Sequence, residues 1–178
     1  MKKVFLDTCV LLDYFENRDR ETACFVQNLI DNPKIEVRTA VFNVIEMLDK
    51  IQEIRHMAKL VQKRYSFDEI SRDRQIKKLS PTEREEILNE LNNFLEESKI
   101  ITFYFKEMVG YGAVIDVLSK VDLKSQDAVI VTTYLDTDSD MFITKDSNLI
   151  KNVKDKFSKD FFNAKNDLKK IKKELGIV

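Results

Sequence analysis

Glycine, proline and histidine are scarce in this 178-residue sequence. It contains three glycines, two prolines, one histidine, two cysteines and no tryptophan. So few turn-forming residues argue against a β-sandwich and favour a fold rich in helices. Cys9 and Cys24 lack the paired spacing of a zinc ribbon, and we expect both to be buried, reduced thiols. No apolar run approaches the ~18 residues of a membrane span, which predicts a soluble, cytoplasmic protein with no membrane association.

The single histidine, His56, limits the chemistry that the chain can perform. A Ser-His-Asp or Cys-His nucleophile system and a histidine-rich zinc site are both disfavoured. His56 lies in a charged stretch, and we expect it to be a solvated surface residue. Any catalysis must therefore depend on carboxylates.

Charge is abundant but unevenly distributed. The sequence is 34% charged with a net charge of -1, yet residues 55–79 and residues 151–178 each carry a net charge of +5. Two explanations are equally consistent with this pattern. The basic segments either steer a polyanion toward an acidic centre or form solvated helix faces.

Short apolar runs alternate with segments of helical periodicity. The strands are predicted at residues 4–6, 35–38, 100–105 and 141–144. Helices are predicted at residues 10–15, 21–31, 39–51, 108–118 and 157–175, the last with a Gly176 C-cap. Two more are predicted to begin at N-terminal caps, one at the capping box Ser80-Pro81-Thr82-Glu83 and one at Ser125. This alternation predicts a three-layer α/β fold with a mostly parallel central sheet. We expect one domain over residues 1–178, with a charged helical insertion at about residues 51–98.

Four acidic residues stand in separate apolar or turn-like contexts: Asp7, Glu46, Asp127 and Asp146. Asp7 and Asp146 follow predicted strands, and ligands of a parallel sheet bind beyond the carboxyl ends of its strands. Clustered carboxylates require a cation, since each like-charged pair about 4 Å apart costs roughly 4 kcal/mol. An oxygen-only cluster suits Mg²⁺ or Mn²⁺. Surface charge and helix capping are the alternative explanations, and the rivals for a place near the site are Asp13, Asp136, Asp138 and Asp140.

Four motifs resemble, in this order, those of the PIN domains, a family of compact metal-dependent nucleases. They are Val4-Phe5-Leu6-Asp7-Thr8, Asn43-Val44-Ile45-Glu46, Ser125-Gln126-Asp127-Ala128-Val129-Ile130 and Phe142-Ile143-Thr144-Lys145-Asp146. The resemblance covers residues 1–50 and 100–152, and we see no closing strand after Lys151. It implies that Asp7, Glu46, Asp127 and Asp146 hold one or two Mg²⁺ or Mn²⁺ ions. Thr8 and Asn43 are candidates to support the site, although capping or another polar contact explains them equally well.

The resemblance implies a metal-dependent endoribonuclease that hydrolyses RNA phosphodiester bonds. Small members of the family are often toxins of toxin–antitoxin pairs, so the implied partners are an RNA substrate, an antitoxin protein and a second copy of the chain. We also predict that RNA contacts the basic residues Arg72, Arg74, Lys77 and Lys78.

Two other functions are alternatives. The first is a non-catalytic, PIN-like module that binds RNA or protein. The second is a haloacid-dehalogenase-like phosphatase, which is disfavoured because that family needs a second aspartate where Cys9 stands.

Overall fold

Strands and helices alternate along most of the chain, as the sequence predicts. The computed structural model describes residues 1–103 and 110–177. The strands are β1 (Lys2–Leu6), β2 (Ile35–Ala40), β3 (Ile101–Phe103), β4 (Met141–Thr144) and β5 (Asp160–Asn163). The helices are α1 (Thr8–Phe15), α2 (Arg20–Asp31), α3 (Val41–Gln62), α4 (Phe67–Asp73), α5 (Pro81–Ser98), α6 (Gly110–Lys120), α7 (Ser125–Asp136), α8 (Ser147–Val153) and α9 (Leu168–Leu175). A short 3₁₀ turn at Arg74–Ile76 follows α4.

The strands of the described residues form one parallel sheet in the order β3-β2-β1-β4-β5. The predicted α/β fold with a parallel sheet flanked by helices is therefore confirmed. The strand order reverses between β1 and β4, where Leu6 is paired with Ile143. Such a reversal opens a crevice beyond the carboxyl ends of the two strands, which is the usual ligand position in open α/β sheets.

An aromatic cluster fixes α7 against one face of the sheet. The ring of Tyr134 lies 5.7 Å from Phe5, 5.3 Å from Phe142 and 5.1 Å from Phe161, between centroids. The Tyr134 hydroxyl donates to the backbone oxygen of Asp160 at 2.9 Å, where β5 begins. The carboxyl-terminal end of α7 is therefore held at the amino-terminal edge of the sheet, and its first turn points toward the opposite edge.

The helix predicted at residues 157–175 is confirmed only in its carboxyl-terminal part, where α9 (Leu168–Leu175) forms. The residues before α9 form β5 and a turn at Asn163 instead. Phe161 of β5 packs on the aromatic cluster, and the side chain of Asn163 accepts from the backbone N–H groups of Lys165 and Asn166 at 3.0 Å each. Long-range packing and this turn overrode the helical spacing of the apolar residues. The strand β5 also supplies the closing strand that we did not find in the sequence.

Several other boundaries differ from those predicted or lie outside the described residues. Strand β3 begins at Ile101 and α6 at Gly110, while residues 104–105 of the predicted strand and residues 108–109 of the predicted helix lie outside the described part of the chain. Ser125 is not the cap of α7, since the cap position is Lys124, which makes no capping bond through its side chain. The Gly176 C-cap is confirmed by a left-handed φ of 67°.

The chain divides into two compact units. The first unit contains Met1–Val44 and Ser98–Val178, and includes the whole sheet. The second contains Ile45–Glu97, close to the predicted insertion. Within the second unit, ion pairs join α3 to α5: Lys59 to Glu83 at 2.7 Å and Arg55 to Glu90 at 2.9 Å.

The second unit is better buried than its polar sequence predicts. His56 is only 3% exposed, so the expectation of a solvated histidine is wrong. Leu60 and Leu79 are also buried. The capping box of α5 is confirmed, since the Ser80 N–H donates to the Glu83 carboxylate at 2.7 Å and the Glu83 N–H to the Ser80 hydroxyl at 3.3 Å.

Both cysteines are free thiols. Cys24 is exposed and Cys9 is half-buried, so the prediction that both are buried is wrong. Among the described residues, no helix combines the length and apolar character that crossing a bilayer requires.

Candidate functional site

Asp7 lies at the carboxyl end of β1, next to the reversal of strand order. Asp7 is 7% exposed, and its carboxylate accepts from the Thr8 N–H at 2.8 Å, which caps α1. The other carboxylate oxygen accepts from the Thr144 hydroxyl at 2.6 Å and from the Cys9 thiol at 3.2 Å. These donors stabilise the charge of a carboxylate that burial would otherwise penalise.

Asp146 lies two residues beyond β4 and caps α8. One oxygen of its exposed carboxylate accepts from the N–H groups of Asn148 and Leu149 at 2.8 and 3.0 Å. Its own N–H donates to the Thr144 hydroxyl oxygen at 3.0 Å. Because that hydroxyl also donates to Asp7, Thr144 connects the two strand-end aspartates through a single oxygen atom.

Asp127 lies in the first turn of α7 and is half-buried. It stands seven residues before Tyr134, whose hydroxyl is bonded at the amino-terminal edge of the sheet. Seven helical residues span about 10.5 Å. A four-residue strand spans about 13 Å. The helix therefore carries Asp127 toward the carboxyl edge at which Asp7 and Asp146 lie.

Glu46 and the two supporting candidates have different positions. Glu46 is half-buried on α3, at the beginning of the second unit. Thr8 is buried at the start of α1 and contributes its N–H to Asp7. The amide nitrogen of Asn43 donates to the Leu6 oxygen at 2.8 Å and to the Thr39 hydroxyl at 2.9 Å.

The amide oxygen of Asn43 is an orphaned buried acceptor. Asn43 is 0% exposed, and its oxygen finds no donor among the described residues. The Leu6 carbonyl accepts only, so the atom facing it must be the amide nitrogen, which fixes the orientation of the side chain. An unsatisfied acceptor of this kind is costly unless a donor, a water or a cation meets it. The amide nitrogen of the same side chain is bonded to Leu6, the residue that precedes Asp7.

Cys9 is a hydrogen-bond donor of the site. Burial and the neighbouring Asp7 carboxylate raise the pKa of its thiol. The sulfur also accepts from the Lys145 N–H at 3.1 Å. A protonated Cys9 is neither a nucleophile nor a soft metal ligand, because both roles require the thiolate.

Lys145 anchors the segment that precedes Asp146. Its ammonium group contacts Asp13 at 2.5 Å and Asp19 at 2.7 Å, and Arg18 contacts the other oxygen of Asp13 at 2.7 Å. Hydrogen bonding to Lys145 is the largest influence that lowers the pKa of Asp19 to about 2. Asp13 is therefore occupied by two cations and is not available as a rival site residue.

The other rivals are at the opposite edge of the sheet. Asp138 pairs with Arg38 and Lys3, and Asp140 accepts from the Lys3 N–H at 2.7 Å just before β4 begins. Asp136 is the last residue of α7, far along the helix from its first turn.

The side chains at this edge of the sheet offer oxygen atoms, which are the donor atoms that a hard cation prefers. The strand-end carboxylates, the Asn43 amide oxygen and the Thr144 hydroxyl are oxygen donors of the type that Mg²⁺ and Mn²⁺ prefer. Within residues 1–103 and 110–177, however, no three Asp, Glu, His or Cys side chains are grouped closely enough to hold a metal ion. Asp7 and Asp146 are brought to adjacent strand ends, and both use an oxygen to cap a helix. Their assignment as metal ligands, with that of Asp127 and Glu46, stays a prediction.

Sequence reasoning missed Thr144, Lys145 and Asn163. Thr144 was identified only as the end of a strand, although a hydroxyl residue two positions before a strand-end aspartate is the signal that identifies it. Asn163 donates to the Ser147 hydroxyl at 3.2 Å and so supports the start of α8. Neither the Lys145 nor the Asn163 contact has a sequence signal, since both join distant parts of the chain.

Comparisons with known proteins bear on the fold of the chain. No family profile matches the sequence, and no curated protein matches it. The structure is similar to the crystal structure of VapBC2 from Rickettsia felis bound to a DNA fragment from their promoter. The TM-score is 0.56 at 12% identity, over 90% of this chain and 98% of that chain. At this identity the likeness concerns the fold alone, and the all-parallel α/β fold of this chain is PIN-like.

Proposed function

We propose that this protein is a metal-dependent endoribonuclease whose reaction centre lies at the carboxyl ends of β1 and β4. The observation that carries the proposal is the Thr144 hydroxyl, which donates to the Asp7 carboxylate and accepts from the Asp146 N–H. It holds two aspartates beside the reversal of strand order, where an α/β sheet binds its ligand. The PIN-like fold supports the same assignment.

Asp7 and Asp146 are proposed to hold a Mg²⁺ or Mn²⁺ ion, with Asp127 and Glu46 completing its surroundings. Such an ion, when bound, polarises the scissile phosphate and lowers the pKa of an attacking water. Thr144 and the Thr8 N–H orient the Asp7 carboxylate, and the Asn43 oxygen offers a further acceptor. The thiol of Cys9 donates to Asp7 and takes no part as a nucleophile.

The proposed partners follow from the fold and its likeness. RNA is the proposed substrate, an antitoxin protein the proposed partner, and a homodimer the proposed assembly in the cytoplasm. The likeness to VapBC2 supports a role in a toxin–antitoxin pair. Native mass spectrometry of the chain expressed with the product of an adjacent reading frame tests this partner. A stable complex supports the pair, and two separate proteins contradict it.

Cleavage of a labelled single-stranded RNA in Mn²⁺ tests the enzymatic function. We expect the wild type to cleave, while Asp146→Asn does not, because the substitution removes the charge and retains an efficient helix cap. Asp160→Asn is the matched control, since Asp160 is exposed at the opposite end of the same sheet. Cleavage by Asp146→Asn at the rate of the wild type contradicts the proposal.

A non-catalytic, PIN-like binding module is the second candidate. The observation that favours it is that Asp7 and Asp146 both cap helices, in a structure whose described residues group no three potential ligands. On this account Mn²⁺ neither binds nor raises the melting temperature. A melting temperature that rises with Mn²⁺ in the wild type and not in Asp146→Asn excludes this candidate.

A further inference from the structure

The junction between α3 and α4 is exposed and aromatic. We define the tip as residues 61–68, all of which are exposed. Within it, Tyr65 is 42% and Phe67 82% exposed, and no other large apolar side chain among the described residues is as exposed as Phe67. Two exposed aromatic rings within three residues are unusual on a surface, so we expect them to serve binding.

Two helix caps fix the backbone of the tip. Arg64 adopts a left-handed φ of 60°, and the Tyr65 N–H donates to the Leu60 oxygen at 3.1 Å, which closes α3. Ser66 begins α4 with a capping box, in which its N–H donates to the Glu69 carboxylate at 2.8 Å. The rings therefore project from a backbone that is already ordered, which lowers the entropic cost of binding.

The tip also carries two cations without carboxylate partners among the described residues. Lys63 and Arg64 precede Tyr65, and no acidic residue occurs between Val61 and Phe67. Three of the residues that we predicted from the sequence to contact RNA have carboxylate partners. Arg72 pairs with Asp73 at 3.2 Å, Arg74 with Glu53 at 3.6 Å, and Lys77 with Asp49. The fourth, Lys78, is exposed and has no carboxylate partner among the described residues. The positive charge of this region that no carboxylate neutralises is thus at the tip and at Lys78.

We propose that the tip binds single-stranded nucleic acid. Tyr65 and Phe67 stack on bases, and Lys63 and Arg64, which precede them in the chain, contact neighbouring phosphates. Aromatic and basic side chains close together in the chain suit a single strand, because every base has a π-face and the backbone is an anion. A duplex conceals those faces and is expected to bind more weakly. The choice of RNA as the strand rests on the proposed function.

Fluorescence anisotropy with a labelled 12-nucleotide oligouridylate tests this site. The measurements are made in EDTA and in the Asp7→Asn background, so that cleavage does not contribute. We expect Tyr65→Ala with Phe67→Ala to weaken binding about tenfold or more. Ile76→Ala with Leu88→Ala is the matched control, since both residues are exposed and apolar in the same unit. Equal affinities of the two double variants overturn the proposal.

The charges are tested through the salt dependence. Lys63→Gln with Arg64→Asn is expected to lower the slope of log Kd against log salt by about 1.4, at about 0.7 per phosphate. Asparagine at position 64 tolerates the left-handed backbone. Lys154→Gln with Lys156→Gln, at exposed positions of the other unit, should leave the slope unchanged. A slope that falls equally in both pairs means nonspecific attraction and overturns the proposal.

The two proposals fail separately. If the wild type binds RNA through the tip but cleaves no RNA, the tip proposal is supported and the nuclease proposal is contradicted. If the wild type cleaves RNA but substitutions in the tip leave RNA binding unchanged, the nuclease proposal is supported and the tip proposal is contradicted. If Phe67→Ala changes only the oligomeric state, measured by light scattering, the tip is an interface between protein chains and the proposal is wrong.

Discussion

At the scale of single residues, Thr144 has the largest influence on the candidate site. Its one hydroxyl contacts the Asp7 carboxylate, the Asp146 N–H and the Cys9 sulfur, the last at 3.4 Å. Thr144 is completely buried, so water cannot replace these bonds. The spacing of the two aspartates therefore depends on this side chain.

We predict that Thr144→Val weakens Mn²⁺ binding about tenfold or more, as loss of a ligand-orienting group does. The free energy of unfolding should fall by about 2 kcal/mol, because a buried carboxylate loses a donor. Titration calorimetry and urea unfolding measure the two effects. Thr132→Val is the control, since the buried Thr132 hydroxyl donates only within α7, to the Ala128 oxygen at 2.6 Å. Mn²⁺ affinities that are equal in the two variants contradict the role of Thr144.

Asp19 is predicted to make stability depend on pH in acid. Lys145 lowers the folded pKa of Asp19 to about 2, from the ordinary value of 3.8 for an aspartate. Its contribution is therefore complete above about pH 4 and is lost as the pH falls toward 2. The side chain is 37% exposed, so we discount the contribution for screening to about 1 kcal/mol or less.

The variant Asp19→Asn isolates this contribution, because asparagine still caps α2. We expect its free energy of unfolding to fall less steeply than that of the wild type between pH 4 and pH 2. Urea unfolding at a series of pH values measures the difference. Parallel curves for the two proteins would show that the Lys145 contact does not stabilise the fold.

At the scale of elements, α7 and α3 each carry a polar group whose environment decides its effect. Tyr134 of α7 satisfies its hydroxyl on β5, whereas the ring nitrogens of His56 on α3 find no partner among the described residues. The Tyr134 hydroxyl positions a helix, and the His56 ring is a source of instability. Removing the hydroxyl should therefore lower the free energy of unfolding, and removing the ring should raise it.

Tyr134→Phe is expected to lower the free energy of unfolding by about 1 kcal/mol, since one hydrogen bond is lost. It should also slow cleavage, because α7 carries Asp127 toward the edge of the sheet. Tyr14→Phe is the control, as its hydroxyl bonds Gln27 at an exposed position. If Tyr14→Phe slows cleavage as much as Tyr134→Phe does, the bond to β5 does not position Asp127.

His56→Leu is expected to raise the free energy of unfolding by about 1–2 kcal/mol, because it removes a buried polar ring without hydrogen bonds. His56→Asn retains a polar group and should lower it. Thermal and urea unfolding of the two variants measure these changes. A destabilised His56→Leu would show that the ring has a partner that stabilises it.

The helices and strands that were predicted correctly are those whose own residues determine their structure. The apolar runs of β1 and β4 and the Ser80 capping box needed no distant contact. Strand β5 could not be predicted, because Phe161 has helical spacing and becomes a strand residue only by packing on Tyr134 and Phe142.

At the scale of the whole molecule, the fold and the site differ in how far the sequence determines them. The alternation of strands and helices predicts the parallel sheet, whereas the order of its strands and the reversal between β1 and β4 were not predicted. The contact of Thr144 with Asp7 joins residues 137 positions apart, and no local pattern encodes it. Whether the two units act as a single nuclease domain stays a prediction.

The most direct test of the account is the binding of Mn²⁺ itself, measured by electron paramagnetic resonance as the free ion is depleted. We predict that the wild type binds Mn²⁺, that Asp7→Asn with Asp146→Asn does not, and that Asp160→Asn binds as the wild type does. Binding that persists in the double variant would contradict the claim that the carboxyl ends of β1 and β4 hold the ion.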